Sequence, residues 1–472
     1  MRSRRWAPAS DQRASRALSE NTESGASFPD DFAWGVGTAA YQIEGGRHEQ
    51  GKGDSIWDRF SDLGRLRDPG DVACDHYHRM REDLDLLADL GVSAYRFSIS
   101  WPRVIPDGDG RVNQAGLDFY RRLVAGLRAR GIAPYVTLYH WDLPQALQDK
   151  GGWAARSTVD AFARYACVVA GALGEHVNHW ITQNEPWVTT MLGHRDGVFA
   201  PGVSDWPTAV TVGHHLLVSH GYAVEEIRGV VPGAMVGIGI DCRPAEPASD
   251  SDEDRAATRY YDGTRNRWFF DPVFGRGYPD DVMKIYRDRG RIGPGVIAKG
   301  DMETIAIPID FLGLNYYTTV TIAAGDDEPA ESGLPPGTDP RPGHTDMGWK
   351  VDADGLTSYL RHINDTYAPS SIVITENGAS YSDGPDAGGV IDDRRRIEYL
   401  RSHVGAVAEA RAEQVPVDGY FVWSFMDNLE WVEGFSQKFG LVWVDRDTLD
   451  RTPKRSFAWY RGLVTTGTLT DS

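Results

Sequence analysis

Eight short runs rich in apolar, β-branched and aromatic residues recur along the chain, separated by longer amphipathic stretches. That alternation limits the available folds more than any other feature of the sequence. The runs are FAWGVGTA (32–39), AYRFSIS (94–100), PYVTLYH (134–140), NHWITQNEP (178–186), MVGIGID (235–241), FLGLNYYT (311–318), IVITENGA (372–379) and GYFVWSFMD (419–427). Near-continuous apolarity is what a parallel strand buried on both faces requires; a strand with one wet face would alternate. Between the runs the period changes. In EDLDLLADLG (82–91), Leu84, Leu87 and Leu90 recur at three-residue spacing and Gly91 ends the pattern, as in an amphipathic helix with a glycine stop. QAGLDFYRRLVAGLRARG (114–131) behaves in the same way. Eight strands with helical connections predict an α/β chain folded as a single (β/α)8 TIM barrel. No boundary divides it: residues 28–472 are assigned to the barrel. Residues 1–27, rich in Arg, Ser and Ala, are assigned to a disordered tail. Two polar segments, 243–258 and 324–348, each follow a strand and are expected as long loops at the barrel's C-terminal face, where sites are built.

Charge narrows the partners. The chain carries 49 Lys and Arg against 68 Asp and Glu, a net charge of -19, whereas nucleic acids and anionic membranes select basic patches. Neither is expected as a partner, and no apolar stretch is long enough to span a bilayer. The three cysteines, Cys74, Cys167 and Cys242, are widely spaced and odd in number; they suit a reducing cytoplasm better than a disulfide framework. Arg4 and Arg5 form the pair of a twin-arginine signal, but no apolar region follows them, so export is not expected. Self-assembly is left open.

Some motifs carry little. Gly35-Val36-Gly37-Thr38-Ala39-Ala40 fits a loose dinucleotide fingerprint, yet the distal acid is missing and YQIEGG (41–46) reads as loop. Cys74, His76 and His78 have no complementary ligand group and read as the start of a helix rather than zinc ligands. His214, His215 and His220 fall in an amphipathic stretch as packing or surface residues. No metal or cofactor is called for.

Two glutamates remain, each at the C-terminal end of a strand: Glu185 closes WITQNEP and Glu376 closes IVITENG. A barrel places both ends on one face, so carboxyls distant in sequence can share a pocket. Glycoside hydrolysis needs such a pair, one carboxyl to protonate the leaving oxygen and one to attack or stabilise the oxocarbenium-like centre.

The neighbourhoods of these residues resemble glycoside hydrolase family 1, the β-glucosidases and their relatives. The likeness runs from Phe28 to about Tyr460. It rests on FPDDFAWGVGTAAYQIEGG (28–46), YRFSISWPR (95–103), YHWDLP (139–144), TQNEP (182–186), NYYT (315–318), TENG (375–378), WSFMDNLEW (423–431) and GFSQKFGLVWVD (434–445). The resemblance implies a β-glucosidase that acts with retention on small-molecule or oligosaccharide β-glycosides, with a place in carbohydrate metabolism and cellulose degradation. It assigns Glu376 as nucleophile and Glu185 as acid/base, with Arg96, Asn315 and Tyr317 supporting the pair. Asn184 is expected at the sugar 2-hydroxyl; Gln42, His140, Trp141, Trp423, Glu430 and Trp431 around the non-reducing sugar; and Trp349 beside the leaving group. Most of the 15 tryptophans are expected in the core, but a flat indole face also stacks on sugar C–H groups.

Three departures stand out. Gln183 replaces the usual apolar residue before Asn184 and is expected to point away from the pocket. His194 stands where Tyr is common, and Gln437-Lys438 replaces a common S-K-R arrangement near Glu430. Transglycosylation would share the same intermediate. A 6-phospho-β-glycosidase is disfavoured, because Glu430 would repel a phosphate.

Overall fold

A computed structural model describes residues 25–325, 330–331 and 342–470. All eight apolar runs form strands: β1 (Ala33–Gly37), β2 (Ala94–Ser98), β3 (Ala133–Tyr139), β4 (His179–Asn184), β5 (Met235–Cys242), β6 (Phe311–Tyr316), β7 (Ile372–Asn377) and β8 (Val417–Trp423). They close into one parallel barrel, with Trp423 of β8 opposite Gly37 of β1. Outside it lie α1 (His76–Leu90), α2 (Gln114–Arg128), α3 (Ser157–Leu173), α4 (Trp206–Val230), α5 (Asp280–Asp288), α6 (Ala353–Tyr367), α7 (Arg394–Ala412) and α8 (Arg455–Thr466). The apolar stripe of α1 is the expected one. Leu84, Leu87 and Leu90 are buried, and Gly91 ends the helix at φ 78°, a left-handed conformation that glycine adopts without a Cβ clash.

Strand alternation sorts the barrel interior into a floor and a site. Ala94, Tyr135, Ile181, Phe311, Val373 and Phe421, each from a different strand, form an apolar cluster at the N-terminal end. Gly35 of β1 completes the layer by absence, since a Cβ there would run into the Phe421 ring. Two residues further along, the inward positions become polar: Arg96 follows Ala94, Thr137 follows Tyr135, and Thr375 follows Val373.

Strict alternation would also turn Gln183 inward after Ile181. The pairing of β4 with β5 instead slips between Ile181 and Asn184, and such a bulge re-aims the residues beyond it. Gln183 therefore points outward, where its amide donates to Ser219 Oγ at 2.9 Å, and Asn184 is available to the site. β7 slips similarly between Ile374 and Glu376 where it meets β6.

The polar segments carry more structure than their composition indicates. Ala245–Pro247 pairs with Val320–Ala323, which pairs with Ala330–Glu331, forming a small sheet at the barrel mouth. Ser251 accepts a hydrogen bond from Asp254 N and starts a helix at Asp252; a Ser cap followed by acidic residues favours a helix start whatever the loop-like composition. Of the segment 324–348, residues 326–329 and 332–341 lie outside the described residues.

Of the tail expected over 1–27, residues 1–24 lie outside the described residues. Ala26–Ser27, however, pairs antiparallel with Thr468–Leu469, so the end of that stretch belongs to the ordered protein. The glycine pair of the dinucleotide-like motif sits within β1, and Ala40–Ile43 makes a helical turn where loop was expected. His76 opens α1 and bonds Asp83 at 2.8 Å, while His214, His215 and His220 are buried on α4.

Phe421 fills with its ring the space that Gly35 leaves in the floor layer. Its replacement by Ala is expected to cost about 3–5 kcal/mol, read as a lower denaturant midpoint at unchanged slope.

Candidate active site

The strand ends deliver the polar side chains into one buried network. Arg96, 1% exposed, donates from Nη1 to Glu376 Oε1 at 2.5 Å and to the Thr375 carbonyl at 3.2 Å. Its Nη2 donates to Asn184 Oδ1 at 2.6 Å and its Nε to Thr137 Oγ1 at 3.2 Å. Tyr317, just past β6, donates its hydroxyl to Glu376 Oε2 at 2.6 Å. Both oxygens of Glu376 are thus engaged by donors.

Glu185 is held differently. Asn315 Nδ2 donates to Glu185 Oε1 at 2.6 Å and to Asn184 Oδ1 at 3.1 Å, and is itself fixed by Thr375, whose hydroxyl donates to Asn315 Oδ1 at 2.6 Å. Glu185 adopts φ 48°, a conformation uncommon outside glycine and found at sites where packing enforces it. It turns the chain from β4 into the short helix Pro186–Thr190.

These surroundings separate the two carboxyls. Burial raises the proton affinity of both, and Glu185 ends well above its ordinary value; the charges of Asp241 and Glu376 add to that rise, and Asn315 and Arg265 oppose it. For Glu376 burial is countered by Arg96, Tyr317 and Asn315. When the pair gives up one proton, Glu376 is therefore the carboxylate and Glu185 the acid. Tyr317 stays a phenol, because burial and the Glu376 charge push it well above its ordinary value. Burial and the charge of Arg96 hold the His140 imidazole neutral.

Beside the pair lies a pocket of about 250 Å³. The rings of His140 and Trp423 stack at 5.5 Å between centroids with 16° between planes, and His140 and Trp431 at 6.0 Å with 15°. Trp141 donates from Nε1 to the Asn184 carbonyl at 2.9 Å. Gln42 donates to Asn428 Oδ1 at 3.1 Å, to the Leu429 carbonyl at 2.9 Å and to Glu430 Oε2 at 3.4 Å. Gln42 Oε1 and His140 Nδ1 are buried and have no partner among the described residues; with Glu430 they offer a polar set facing an aromatic wall. Flat apolar faces beside directed donors and acceptors match a pyranose, which has C–H faces and an equatorial rim of hydroxyls.

The structure brings all thirteen site residues expected from sequence together. His140, Trp141, Glu185, Tyr317, Trp349, Glu376, Trp423, Glu430 and Trp431 line the pocket itself. Arg96, Asn184, Asn315 and Gln42 join them through the hydrogen bonds above. Trp349 packs against Tyr317 with centroids 5.3 Å apart. The departures stay outside: His194 bonds the Thr189 carbonyl at 2.8 Å, and Gln437 accepts from Ser380 at 2.7 Å, and neither lines the pocket.

Four residues escaped the sequence reading. Asn428 orders Gln42 and lay inside WSFMDNLEW. Trp187, two residues beyond Glu185, forms a wall together with Arg265, whose guanidinium lies 3.5 Å from the Trp187 ring centroid. Asp241 ends MVGIGID, an acid at a strand end like the two glutamates, and that position was a readable signal. Nothing in the sequence pointed to Arg265.

A closed parallel barrel with paired, unequally charged glutamates at its C-terminal mouth, beside an aromatic sugar-sized pocket, defines a glycoside hydrolase. The pattern of "Glycosyl hydrolase family 1" matches residues 24–468. "Beta-glucosidase A" of Acetivibrio thermocellus is 44% identical over 442 residues, covering 93% of this chain and 98% of that protein. The "Bifunctional beta-D-glucosidase/beta-D-fucosidase" of Bifidobacterium breve is 44% identical, covering 93% of this chain and 98% of its own. The solved β-glucosidase of Thermotoga maritima in complex with glucoimidazole superposes with a TM-score of 0.89 at 44% identity, covering 94% of this chain and all of that one. The chain belongs to glycosyl hydrolase family 1 and is a β-glycosidase.

Burial, and then the charge of Glu376, raise the pKa of Glu430 from 4.5 to about 8. A carboxyl that binds its proton more tightly when folded contributes stability fully below its unfolded pKa and loses it as pH climbs through its folded one. The Glu430→Gln variant should therefore gain stability relative to the parent as pH rises from about 4.5 to 8, with no further gain above. Parallel pH–stability curves for the two proteins would contradict this.

Proposed function

We propose that the chain is a retaining β-glucosidase that removes terminal non-reducing β-D-glucosyl residues, and with them β-galactosyl or β-fucosyl residues, through a covalent glycosyl-enzyme. The observation that carries this reading is the unequal holding of the two glutamates: Glu376 faces a guanidinium and a phenol, Glu185 a neutral amide.

In the first half-reaction Glu376 attacks the anomeric carbon as Glu185 gives its proton to the departing oxygen, so the aglycone leaves as a neutral alcohol. The bond from anomeric carbon to Glu376 consumes the negative charge that helped to keep Glu185 protonated. Glu185, now a carboxylate, takes a proton from water, and the hydroxyl adds to the anomeric carbon as the Glu376 ester breaks. Two inversions give net retention. A separation near 5–5.5 Å between the carboxyls is expected of this mechanism. Asn184, anchored by Arg96 and Asn315, is assigned to the 2-hydroxyl, where contacts strengthen as the oxocarbenium character grows.

Gln42, His140, Glu430 and the tryptophans are assigned to the non-reducing sugar, and Trp349 to the aglycone side. Glu430 in the pocket lining offers a phosphate no positive charge to pair with, which supports an unphosphorylated sugar. The acidic charge supports neutral glycosides over nucleic acid or membrane as partners, and no helix among the described residues is long and apolar enough to cross a membrane. Three free cysteines, two of them buried, support residence in the reducing cytoplasm. There the enzyme would serve carbohydrate metabolism by cleaving short β-glucosides, including those released from cellulose. Residues 28–472 act as the glycosidase unit.

Proton NMR of the first-released sugar tests the reading. An aryl β-glucoside should yield the β-anomer first, and the matching 6-phospho-β-glucoside should not turn over; an α-anomer would remove the assigned roles. Glu376→Ala should lose turnover with the fold intact. Glu185→Ala should slow substrates with poor leaving groups by about 10²–10⁴-fold and activated aryl glucosides far less. Equal losses would refute its role as the acid.

A further inference from the structure

The barrel mouth holds a third carboxyl that hydrolysis by two glutamates does not require. Asp241, 3% exposed, lies on β5 in register with Asn315 of β6, one strand over from the β4 end that carries Glu185. It lines the same pocket as Glu185. Arg265, in the turn Gly263–Arg267 after α-helical residues 252–262, makes an ion pair with Asp241. The Arg265 guanidinium also covers the Trp187 ring at 3.5 Å, and so is clamped between the strand end and the segment that Glu185 begins. Beyond that ion pair the charges are spare. Both Asp241 oxygens, and Nε and Nη1 of Arg265, are buried without a hydrogen-bond partner among the described residues.

Fold stability is a poor account of such a pair. Removing two charges from water costs several kcal/mol per ion and is recovered only when the remaining lone pairs and N–H groups are satisfied. Groups left unsatisfied at this depth cluster at functional sites.

We propose that Asp241, aimed by Arg265, is a positioning residue whose fixed negative charge keeps the proton on Glu185 until the aglycone departs and restores the basicity of Glu185 afterwards. The charged and titratable groups that line the pocket with Glu185 are Glu376 on β7, Asp241, Cys242 and Arg243 at the end of β5, Arg265, Tyr317 beyond β6, His140 beyond β3, and Glu430 and Glu433 beyond β8. Cys242 and Tyr317 are neutral, since burial pushes both well above their ordinary values. Burial raises the proton affinity of Asp241 above its ordinary value and the charges of Arg265 and Arg243 oppose that rise; the ion pair with Arg265 is the contact that holds Asp241 as the carboxylate. Among these charges Asp241 and Glu376 both favour the protonated form of Glu185, and Arg265 opposes them.

The difference from Glu376 is one of timing. Glu376 loses its charge on forming the glycosyl-enzyme, whereas Asp241 keeps its own throughout. Glu185 therefore still has a nearby anion when it must draw a proton from water.

This inference rests on Glu185 as the acid/base, and the test separates the two. Profiles of kcat/KM against pH with 4-nitrophenyl β-glucoside would be recorded for the parent, Glu185→Ala, Asp241→Asn, and Asp241→Asn combined with Arg265→Gln. A basic limb that persists in Glu185→Ala would overturn the assignment of Glu185 itself. If that limb vanishes there, Asp241→Asn should move it about one unit to lower pH, because Arg265 is left uncompensated. The double variant, with both charges removed, should move it in the same direction by less. The rate deficit of both should narrow as pH falls, whereas a merely structural role would lower the rate at every pH and leave the limb in place. If the lone buried guanidinium prevents Asp241→Asn from folding, the neutral double variant decides alone. An unmoved or raised limb in it overturns the proposal.

Discussion

The buried guanidinium of Arg96 is the contact on which the site depends. It is 1% exposed and meets its donor requirement with Glu376, Asn184, Thr137 and the Thr375 carbonyl. A cation placed there without those acceptors would be prohibitive, and a carboxylate placed there without the cation equally so. Each therefore justifies the other. Because the partners come from β3, β4 and β7, one side chain ties the ends of several strands into one arrangement, as a preorganised site requires.

Above that tie, small differences in environment divide one chemical group into two roles. Glu185 and Glu376 are both buried glutamates within the same pocket. Charged and phenolic donors reach only Glu376, while the nearby charge of Asp241 reaches Glu185. The resulting split in proton affinity is what acid and nucleophile require of a pair working at one pH. The aromatic wall contributes in the same economical way. His140, kept neutral by burial and by the charge of Arg96, stacks on Trp423 and at the same time contacts the Asn184 amide at 3.1 Å, linking the aromatic wall to the network around Arg96.

Legibility in the sequence followed the length scale of the signal. Each barrel strand was visible because burial on both faces demands a continuous apolar run, and α1 because Leu84, Leu87, Leu90 and Gly91 mark a stripe and a stop. The helix Asp252–Asp262 is expected as loop because it is mostly charged and none of its residues is fully buried; its one local start signal is the Ser251 cap. The family likeness carried the thirteen site residues, since their neighbours are held in short contiguous motifs. Asp241 and Arg265 belonged to no such motif, and their pairing depends on how the polar turn after β5 folds back over Trp187.

Sequence by itself determined the barrel and the placing of Glu185 and Glu376 at the same mouth. These follow from periodicity and local composition, which act over a few residues at a time, whereas the residues expected around the sugar came from the family resemblance. Tertiary structure supplied the means by which Gln183 points outward, as alternation with Asn184 leads one to expect: a one-residue slip of β4 against β5 resets the alternation after Ile181. It also decided which glutamate stays protonated. That outcome depends on burial and on charges arriving from other strands, and electrostatic energy is set by distance through the folded interior rather than by separation along the chain.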